Sequence, residues 1–510
     1  MVLKATGSTP VIRPFYSLYM SFSDINPLLL TILMPLLGIF FILFSTNEKH
    51  IKNISVIISF LTFFISIFLW ITFDQFTSNF QFFHKIKWLS YFNINLTLGI
   101  DGISLLFIIL TTLLIPICIL TSYSVIQKHV KKYFIIFLSL EFFLLLIFSV
   151  LDLLFFYIFF ESILIPMFLL IGVWGSRERK IRASFLFYLY TLIGSVLMLL
   201  AILSIYLNYG TTDYQTLIQI NFDPFYQKIY WLAFFASFAV KVPMLPFHIW
   251  LPEAHVEAPT AGSVILAGIL LKLGSYGILR FSIPLFPLAT IYFTPIVVTM
   301  AVVAVIYTSL TAIRQTDMKR VIAYASVAHM NLIILGMFSL NIEGIEGSIL
   351  QMLSHGLVSS ALFLSIGILY DRYHSRLISY YSGLAHRMPT FVSIFLLYIL
   401  ANIALPGTSS FVGELLIFAG IFQYSTIVTF FGATGMILGG AYSLWLYNRI
   451  AFGNLQTTSL KLFYDLSYRE IIIHVPLIIS ILFMGIYPNI FLNTMHASVI
   501  NLLIPLSFFN

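Results

Sequence analysis

The sequence predicts an all-α polytopic membrane protein of about 14 transmembrane helices, built as two inverted five-helix repeats with helices 7 and 12 broken. Three observations carry that prediction. The 510 residues are 60% hydrophobic and only 9% charged, with a mean hydropathy of +1.01; a soluble domain has about 25% charged residues. The apolar runs are long enough for helices that cross hydrocarbon, which takes about 20 residues, and they lack the strict alternation of membrane barrel strands. Two runs carry proline beside a charge, and paired interrupted helices in two halves point to an inverted repeat around a transport path.

The spans fall at about 27–45, 54–73, 102–123, 133–150, 152–172, 183–207, 230–249, 260–281, 286–312, 319–340, 347–370, 390–422, 427–448 and 472–490. Only Leu151 and Asp152 mark the join of the fourth and fifth. The twelfth exceeds one straight helix and contains LPGTSS, so it reads as broken. Residues 1–26 read as an N-terminal tail. Their Lys4, Arg13 and Ser/Thr content weakly resembles a targeting segment, but an uncleaved surface tail is the plainer expectation. Residues 27–132 hold helices 1–3, 133–281 the first repeat (helices 4–8) and 286–448 the second (helices 9–13). Residues 449–510 hold a loop, helix 14 and a C-terminal tail.

Lysine and arginine test this count. Connections from an odd span to the next even one carry 18 of the 26, as in QKHVKK (127–132), RERKIR (177–182), RQTDMKR (314–320) and DRYHSR (371–376). The opposite side carries six: Lys4, Arg13, Lys85, Lys87, Lys228 and Arg280. Basic loops stay on the cytoplasmic or matrix side, so the odd-to-even loops lie there, on what we call the inner side. Trp70, Trp174, Trp231, Trp250 and Trp445 fall near span ends, where indole prefers the membrane interface.

Composition also excludes. One cysteine, Cys118, allows no intrachain disulfide, thiolate-held iron–sulfur cluster or four-cysteine zinc site. There is no G-x-G-x-x-G after a strand and no P-loop, so the chain shows neither nucleotide nor flavin binding. The net charge of +7 is explained by loop topology and does not call for nucleic acid.

Five formal charges lie well inside spans: Glu141, Glu161, Lys241, Lys272 and Glu414; His329 and His355 join them. Such residues usually face a bundle interior or a water-filled path and mark ion or proton routes. One histidine alone would read as a structural residue bonded to backbone. Seven ionisable groups in one chain read as a pathway. Burial and a movable opposite charge can switch a lysine or glutamate between protonation states, and histidine titrates near neutrality. Glu161 and Lys241 are expected to form one adjustable pair.

Lys241 sits beside Pro243 and Pro246 in FASFAVKVPMLPFHIW, 235–250. Proline removes a backbone donor and disturbs the preceding turn, and unpaired backbone at membrane depth needs protein or water to satisfy it. The expectation is a broken helix that admits water and leaves free carbonyls beside Lys241. LPGTSSFVGELLIF, 405–418, repeats the device: Pro406 and Gly407 break the span and Glu414 follows two turns later. Glu161 then corresponds to His329 in the other repeat, and Lys241 to Glu414.

HIWLPEAHVEAPTAGS, 248–263, places His248, Glu253, His255 and Glu257 together. The spacing is not H-E-x-x-H, and Pro252 interrupts a regular helix, so no metal is expected. A structured mouth between the seventh and eighth spans is expected instead.

These motifs also resemble a family. FAVKVPMLPFHIWLPEAHVEAPTAGSVILAGILLKLGSYGILRF (238–281), FFESILIPMFLLIGVWGSRERK (159–180), IAYASVAHMNL (322–332), LSHGLVSSALF (353–363) and LPGTSSFVGELLI (405–417) are similar to the chain 4 family of respiratory complex I, the NADH:ubiquinone oxidoreductase. The resemblance runs from about residue 27 to the C-terminal region, and its wording is closest to mitochondrial chains of plants, algae or protists. It implies an antiporter-like proton-translocating subunit with 14 core helices in the mitochondrial inner membrane. The family's membrane glutamate matches Glu161, its broken-helix lysine Lys241 and its central lysine Lys272. Its relay histidines match His329 and His355, and its distal acid Glu414. Glu141 matches no essential residue and stays open between additional relay and structural polar residue. The resemblance implies that NAD, FMN, iron–sulfur clusters and ubiquinone are bound elsewhere in the complex and none by this chain. The implied partners are other membrane subunits, related antiporter-like chains among them, and membrane lipids.

Three rival readings compete with this one. A free-standing cation/proton antiporter of the same ancestry shares the membrane motifs. A purely structural scaffold would not keep seven buried ionisable groups. A membrane-embedded hydrolase lacks both G-x-S-x-G and a metal signature.

Overall fold

The computed structural model describes residues 26–454 and 464–507, so the expectations for residues 1–24 and for the middle of the 449–467 loop lie outside the described residues. The chain forms a helical bundle in the predicted order. The first six spans are α1 (Pro27–Phe44), α2 (Glu48–Ile71), α3 (Gly102–Val125), α4 (Val130–Ser149), α5 (Leu153–Trp174) and α6 (Lys180–Tyr209). The seventh is broken into α7 (Pro224–Lys241) and α8 (Trp250–Glu257). Next come α9 (Thr260–Leu285), α10 (Pro287–Ile313), α11 (Met318–Met337) and α12 (Ile342–Tyr373). The twelfth span is broken into α13 (Pro389–Asn402) and α14 (Ser409–Tyr424), and α15 (Thr426–Ala451) and α16 (Tyr468–Ile486) complete the set.

Local chemistry sets many of these boundaries. Side chains of Asn26, Asn47, Asp152, Asp317 and Asn341 accept from free N–H groups at helix starts. Asp101 with Ser104, and Ser467 with Glu470, close reciprocal capping boxes at the starts of α3 and α16. Helices α9 and α12 run through the centre, their apolar stretches wholly buried. Around them α1, α2, α6 and α15 turn residues such as Phe44, Ile193, Leu207 and Ile437 outward, as lipid-facing helices do.

The structure departs from expectation in three places. Residues expected as a C-terminal tail form α17 (Asn489–Ser507). It is apolar and long enough to cross a membrane, but its contacts say otherwise. Thr494 meets Trp70 at the end of α2, Ser498 accepts from Gly102 at the start of α3, and His496 reaches Glu346 at the start of α12. All three partners sit at the outer ends of their spans, so α17 lies across that face. Met495, Val499, Leu502 and Leu506 form its buried stripe at helical spacing. The 14 spans therefore stand, two of them broken.

Secondly, a β-hairpin adds to the all-α plan. β1 (Gln81–Leu89) pairs antiparallel with β2 (Ile94–Ile100) on the outer face. The alternation in INLTLGI is its sequence signal. Thirdly, Trp231 and Trp250 do not face lipid: each is only 1% exposed. Trp231 stacks between Phe235 and Phe293 and donates to Thr290. Trp250 donates to the carbonyl of Val240. An indole whose N–H finds a partner is at home in a core.

Candidate functional site

Two π-helical turns, 266–270 and 278–282, interrupt α9 on either side of Lys272. Such turns appear frequently at functional sites. Lys272 is fully buried. Its Nζ donates to the carbonyl of Ala267 and lies 2.7 Å from His355 Nδ1, contributed by α12. The rings of His355 and His329, the latter on α11, are 5.9 Å apart between centroids. His329 Nδ1 is 3.4 Å from Glu414 Oε1 on α14. Gln351, one turn before His355 on α12, donates to the same carboxylate oxygen at 3.1 Å. His329, Asn402, Glu414 and Tyr442 border a cavity of about 20 Å³, room for about one water. Four of the six relay residues expected from sequence thus form one file inside the bundle, three of them buried and His329 partly so.

The other two are placed differently. Lys241 is the last residue of α7, 2% exposed, and its Nζ lies 4.7 Å from the centre of the Phe160 ring. Neither that Nζ nor Glu161 Oε1 has a hydrogen-bond partner, and the two residues form no ion pair. They remain close enough to feel each other's charge. Gly274 brings α9 against this point, since a Cβ there would stand 3.0 Å from Lys241 Cβ.

Both breaks are built at the expected prolines, but the carbonyls flanking Lys241 are not free. Between α7 and α8, around Pro243 and Pro246, the Val240 carbonyl takes Trp250 Nε1 at 2.9 Å and the Pro243 carbonyl takes Asn331 Nδ2 at 3.5 Å. Between α13 and α14, Pro406 precedes Gly407, whose φ of +92° favours glycine. There Ser410 Oγ donates to the Ala401 carbonyl. Side chains replace the missing helix bonds in both places.

Glu141 stands apart from the file. It is fully buried on α4 and faces α2, where Thr62 donates to Oε1 at 2.7 Å; Oε2 has no partner.

Sequence reasoning missed two charge clusters at the bundle ends. On the inner side, Arg376 is fully buried, 3.9 Å from Glu257 and 3.8 Å from Asp317, and donates to the Val256 carbonyl. Lys319 donates to the Ala258 carbonyl at 3.0 Å and to Ser263 at 3.3 Å. Arg320 pairs with Glu253 at 2.7 Å. The 248–263 connection is the exception among the basic odd-to-even loops, and its two glutamates answer basic residues of neighbouring inner loops. His255 stacks flat on Phe363 at 4.7 Å, and His248 is also buried. Among the described residues no group of three His, Cys, Asp or Glu could hold a metal. On the outer side, Arg280 is buried and pairs with Asp101 at 2.5 Å. Burial alone would raise the Asp101 pKa, but the Arg280 charge and hydrogen bonds from Arg280 and Ser104 outweigh it and hold the carboxyl below its ordinary range.

A bundle of 14 spans, two of them broken around buried charges, with a Lys–His–His–Glu file through its centre, has the form of an antiporter-like membrane subunit. Comparison with known proteins agrees. Residues 150–439 match the family model described as NADH:quinone oxidoreductase/Mrp antiporter, and residues 29–151 match NADH-ubiquinone oxidoreductase chain 4, amino terminus. The chain is 61% identical to NADH-ubiquinone oxidoreductase chain 4 of Chondrus crispus, covering 94% of this chain and 98% of the relative. Identity to the same chain of Marchantia polymorpha is 58%, covering 96% and 98%. Among solved structures, a chain of respiratory complex I from Thermus thermophilus matches with a TM-score of 0.86 and 28% identity, over 94% of this chain and 99% of that one. The membrane-bound sulfane sulfur reductase, an archaeal respiratory membrane complex, shares the fold with a TM-score of 0.81 at 21% identity. The chain belongs to the NADH-ubiquinone oxidoreductase chain 4 family.

Proposed function

We propose that this chain is the proton-translocating, antiporter-like subunit of respiratory complex I in the mitochondrial inner membrane, and that its protons move along Lys272, His355, His329 and Glu414. The repeats are taken as 133–281 and 286–448. The observation that carries the reading is the file from Lys272 to Glu414, with contacts of 2.7 Å and 3.4 Å at its two ends and the two histidine rings 5.9 Å apart between centroids in its middle. NAD, FMN, iron–sulfur clusters and ubiquinone belong to other subunits, which together with related antiporter-like chains and lipid are its partners.

The proposed mechanism is electrostatic. A protonated Lys241 lying free beside α9 repels a second positive charge on Lys272. Lys272 then gives its proton to His355 Nδ1, breaking one N–H bond and forming another across 2.7 Å. His355 passes a proton from its free Nε2 towards His329, and His329 passes one from Nδ1 to Glu414 Oε1. When Lys241 moves onto Glu161 its charge is neutralised, the repulsion falls and Lys272 reloads. Electron transfer elsewhere in the complex supplies the energy for that movement. Glu141 has no step in this sequence.

Co-migration tests membership. On a native gel of gently solubilised membranes, the chain is expected in a very large band that oxidises NADH. Location in a small band without that activity would return the free-standing antiporter to first place.

A further inference from the structure

We propose a second, inner-side access to the distal acid Glu414, running through His474 and Tyr398. It rests on the relay reading above, extending it to groups that the file does not use.

His474 lies on α16 and is 1% exposed. Its Nδ1 is 3.0 Å from the hydroxyl of Tyr398 on α13, which also donates to the His474 carbonyl at 3.4 Å, while its Nε2 has no partner. Tyr398 is fully buried. A buried imidazole with one ring nitrogen engaged and the other free can accept a proton on one side and release one on the other.

The neighbours on each helix extend this pair in both directions. Helices α13 and α16 both run from the inner side towards the middle, and residues four apart on a helix share a face, about 6 Å apart along the axis. One such step inward from His474 on α16 is Glu470, which pairs with Arg372 at 2.6 Å. Glu470 lines an inner cavity of about 50 Å³ together with Asp371 and Arg469. One step deeper from Tyr398 on α13 is Asn402, which borders the small cavity shared with His329 and Glu414. The order is Glu470, His474, Tyr398, Asn402, with one helical step on each side of the His474–Tyr398 contact.

A proton from the inner cavity binds His474 Nε2. The Nδ1–H bond breaks as its proton passes to the Tyr398 oxygen, and the phenol releases its own proton to water beside Asn402. Glu414 accepts it there. One bond forms for each that breaks, and reorientation of the ring and hydroxyl resets the pair. Asn402 is a positioning residue; His474 and Tyr398 carry the proton. Glu414 then receives protons both from His329 and from the inner side, which makes the broken twelfth span an entry as well as an end.

The test uses the whole complex in vesicles, with NADH-driven proton flux followed in Tyr398→Phe, His474→Gln and Lys272→Ala. Tyr398→Phe removes one oxygen and keeps the ring; His474→Gln keeps a polar partner that carries no proton. With the native-gel band intact, both are expected to lower flux by about threefold or more and to raise the ratio of rates in H₂O and D₂O. A merely structural pair would leave that ratio unchanged. Full flux and an unchanged isotope ratio in Tyr398→Phe, with flux lost in Lys272→Ala, overturn the access route and leave the relay standing. Full flux in Lys272→Ala overturns the relay itself. If His474→Gln prevents assembly, the Tyr398→Phe result decides alone.

Discussion

The two broken spans hold their charges in opposite ways. In the second repeat the titratable pair is together: Glu414 lies 3.4 Å from His329 and takes a further hydrogen bond from Gln351. In the first repeat the corresponding pair is apart, with Lys241 over the face of Phe160 and Glu161 Oε1 without a partner. A lysine over an aromatic face gains about 2 kcal/mol when desolvated, against the several kcal/mol of desolvation that a buried charge suffers. Lys241 is therefore weakly held, with an unpartnered carboxylate oxygen nearby. In the proposed relay, one architecture used twice supplies a movable charge at one end and a fixed acceptor at the other, with Lys272 between them.

The sharpest way to break that comparison is to remove the middle. Lys272→Ala takes away the only group joining the movable side to the histidines in the proposed file. Proton flux is expected to fall by about a hundredfold, the order lost when a positioned proton-transfer group is removed, and dye quenching in NADH-energised vesicles measures it. Retention of more than half the flux would sink the relay.

The movable pair should show smaller and coupled losses. Lys241→Ala and Glu161→Gln are each expected to lower flux by about tenfold, and the double variant by no more than either alone, because partners in one switch are not additive. If the losses multiply, the two residues work independently and the contrast between the repeats loses its meaning.

The outer ends test stability instead of transport. Asp101→Asn leaves Arg280 buried beside a neutral partner, and breaking a buried pair costs about 3–5 kcal/mol. The variant complex is expected to lose this chain at lower temperature, read by native gel after heating. Because Arg280 and Ser104 hold the folded carboxyl below its ordinary value of 3.8, the contribution is complete above about pH 4 and fades as pH falls through the depressed value. The difference between wild type and Asp101→Asn in their response to heat is expected to stay constant between pH 5 and pH 7 and to shrink only in stronger acid.

The sequence announces these features unequally, for physical reasons. Buried charges and broken helices were legible because each is costly in hydrocarbon and stands out against an apolar background. The span count was legible from lysine and arginine. The inner cluster was not, because Lys319 and Arg376 belong to basic connections, and a loop charge looks the same whether wet or covered by other loops. Trp231 and Trp250 lie near span ends in sequence, yet packing and an N–H partner took them inside. Helix α17 hid because a moderately apolar helix across a surface differs little in composition from one that spans. His474 hid for another reason: a lone histidine in an apolar run is ordinarily structural, and only its contact with Tyr398 and its free nitrogen distinguish it.

The smallest expected effect concerns Glu141, the buried acid that sequence alone left open. It sits on α4 facing α2, with Thr62 donating to one carboxylate oxygen and no partner on the other. No hydrogen bond or ion pair joins it to Lys272 or Glu161. Glu141→Gln keeps the size and an oxygen acceptor for Thr62 and removes only the ability to carry a proton. If the pathway is the central file, flux should change by less than about twofold, within what a neutral exchange of one buried polar group for another produces. Glu141→Leu should be worse than Gln, because it changes the shape of the buried side chain and leaves the Thr62 hydroxyl only the Ser59 carbonyl at 2.8 Å, and that order is the signature of a structural residue. A tenfold loss in Glu141→Gln with normal assembly would make it a third titrating station. The first repeat would then hold a fixed acid as well as a movable pair, and the contrast with the second would have to be redrawn.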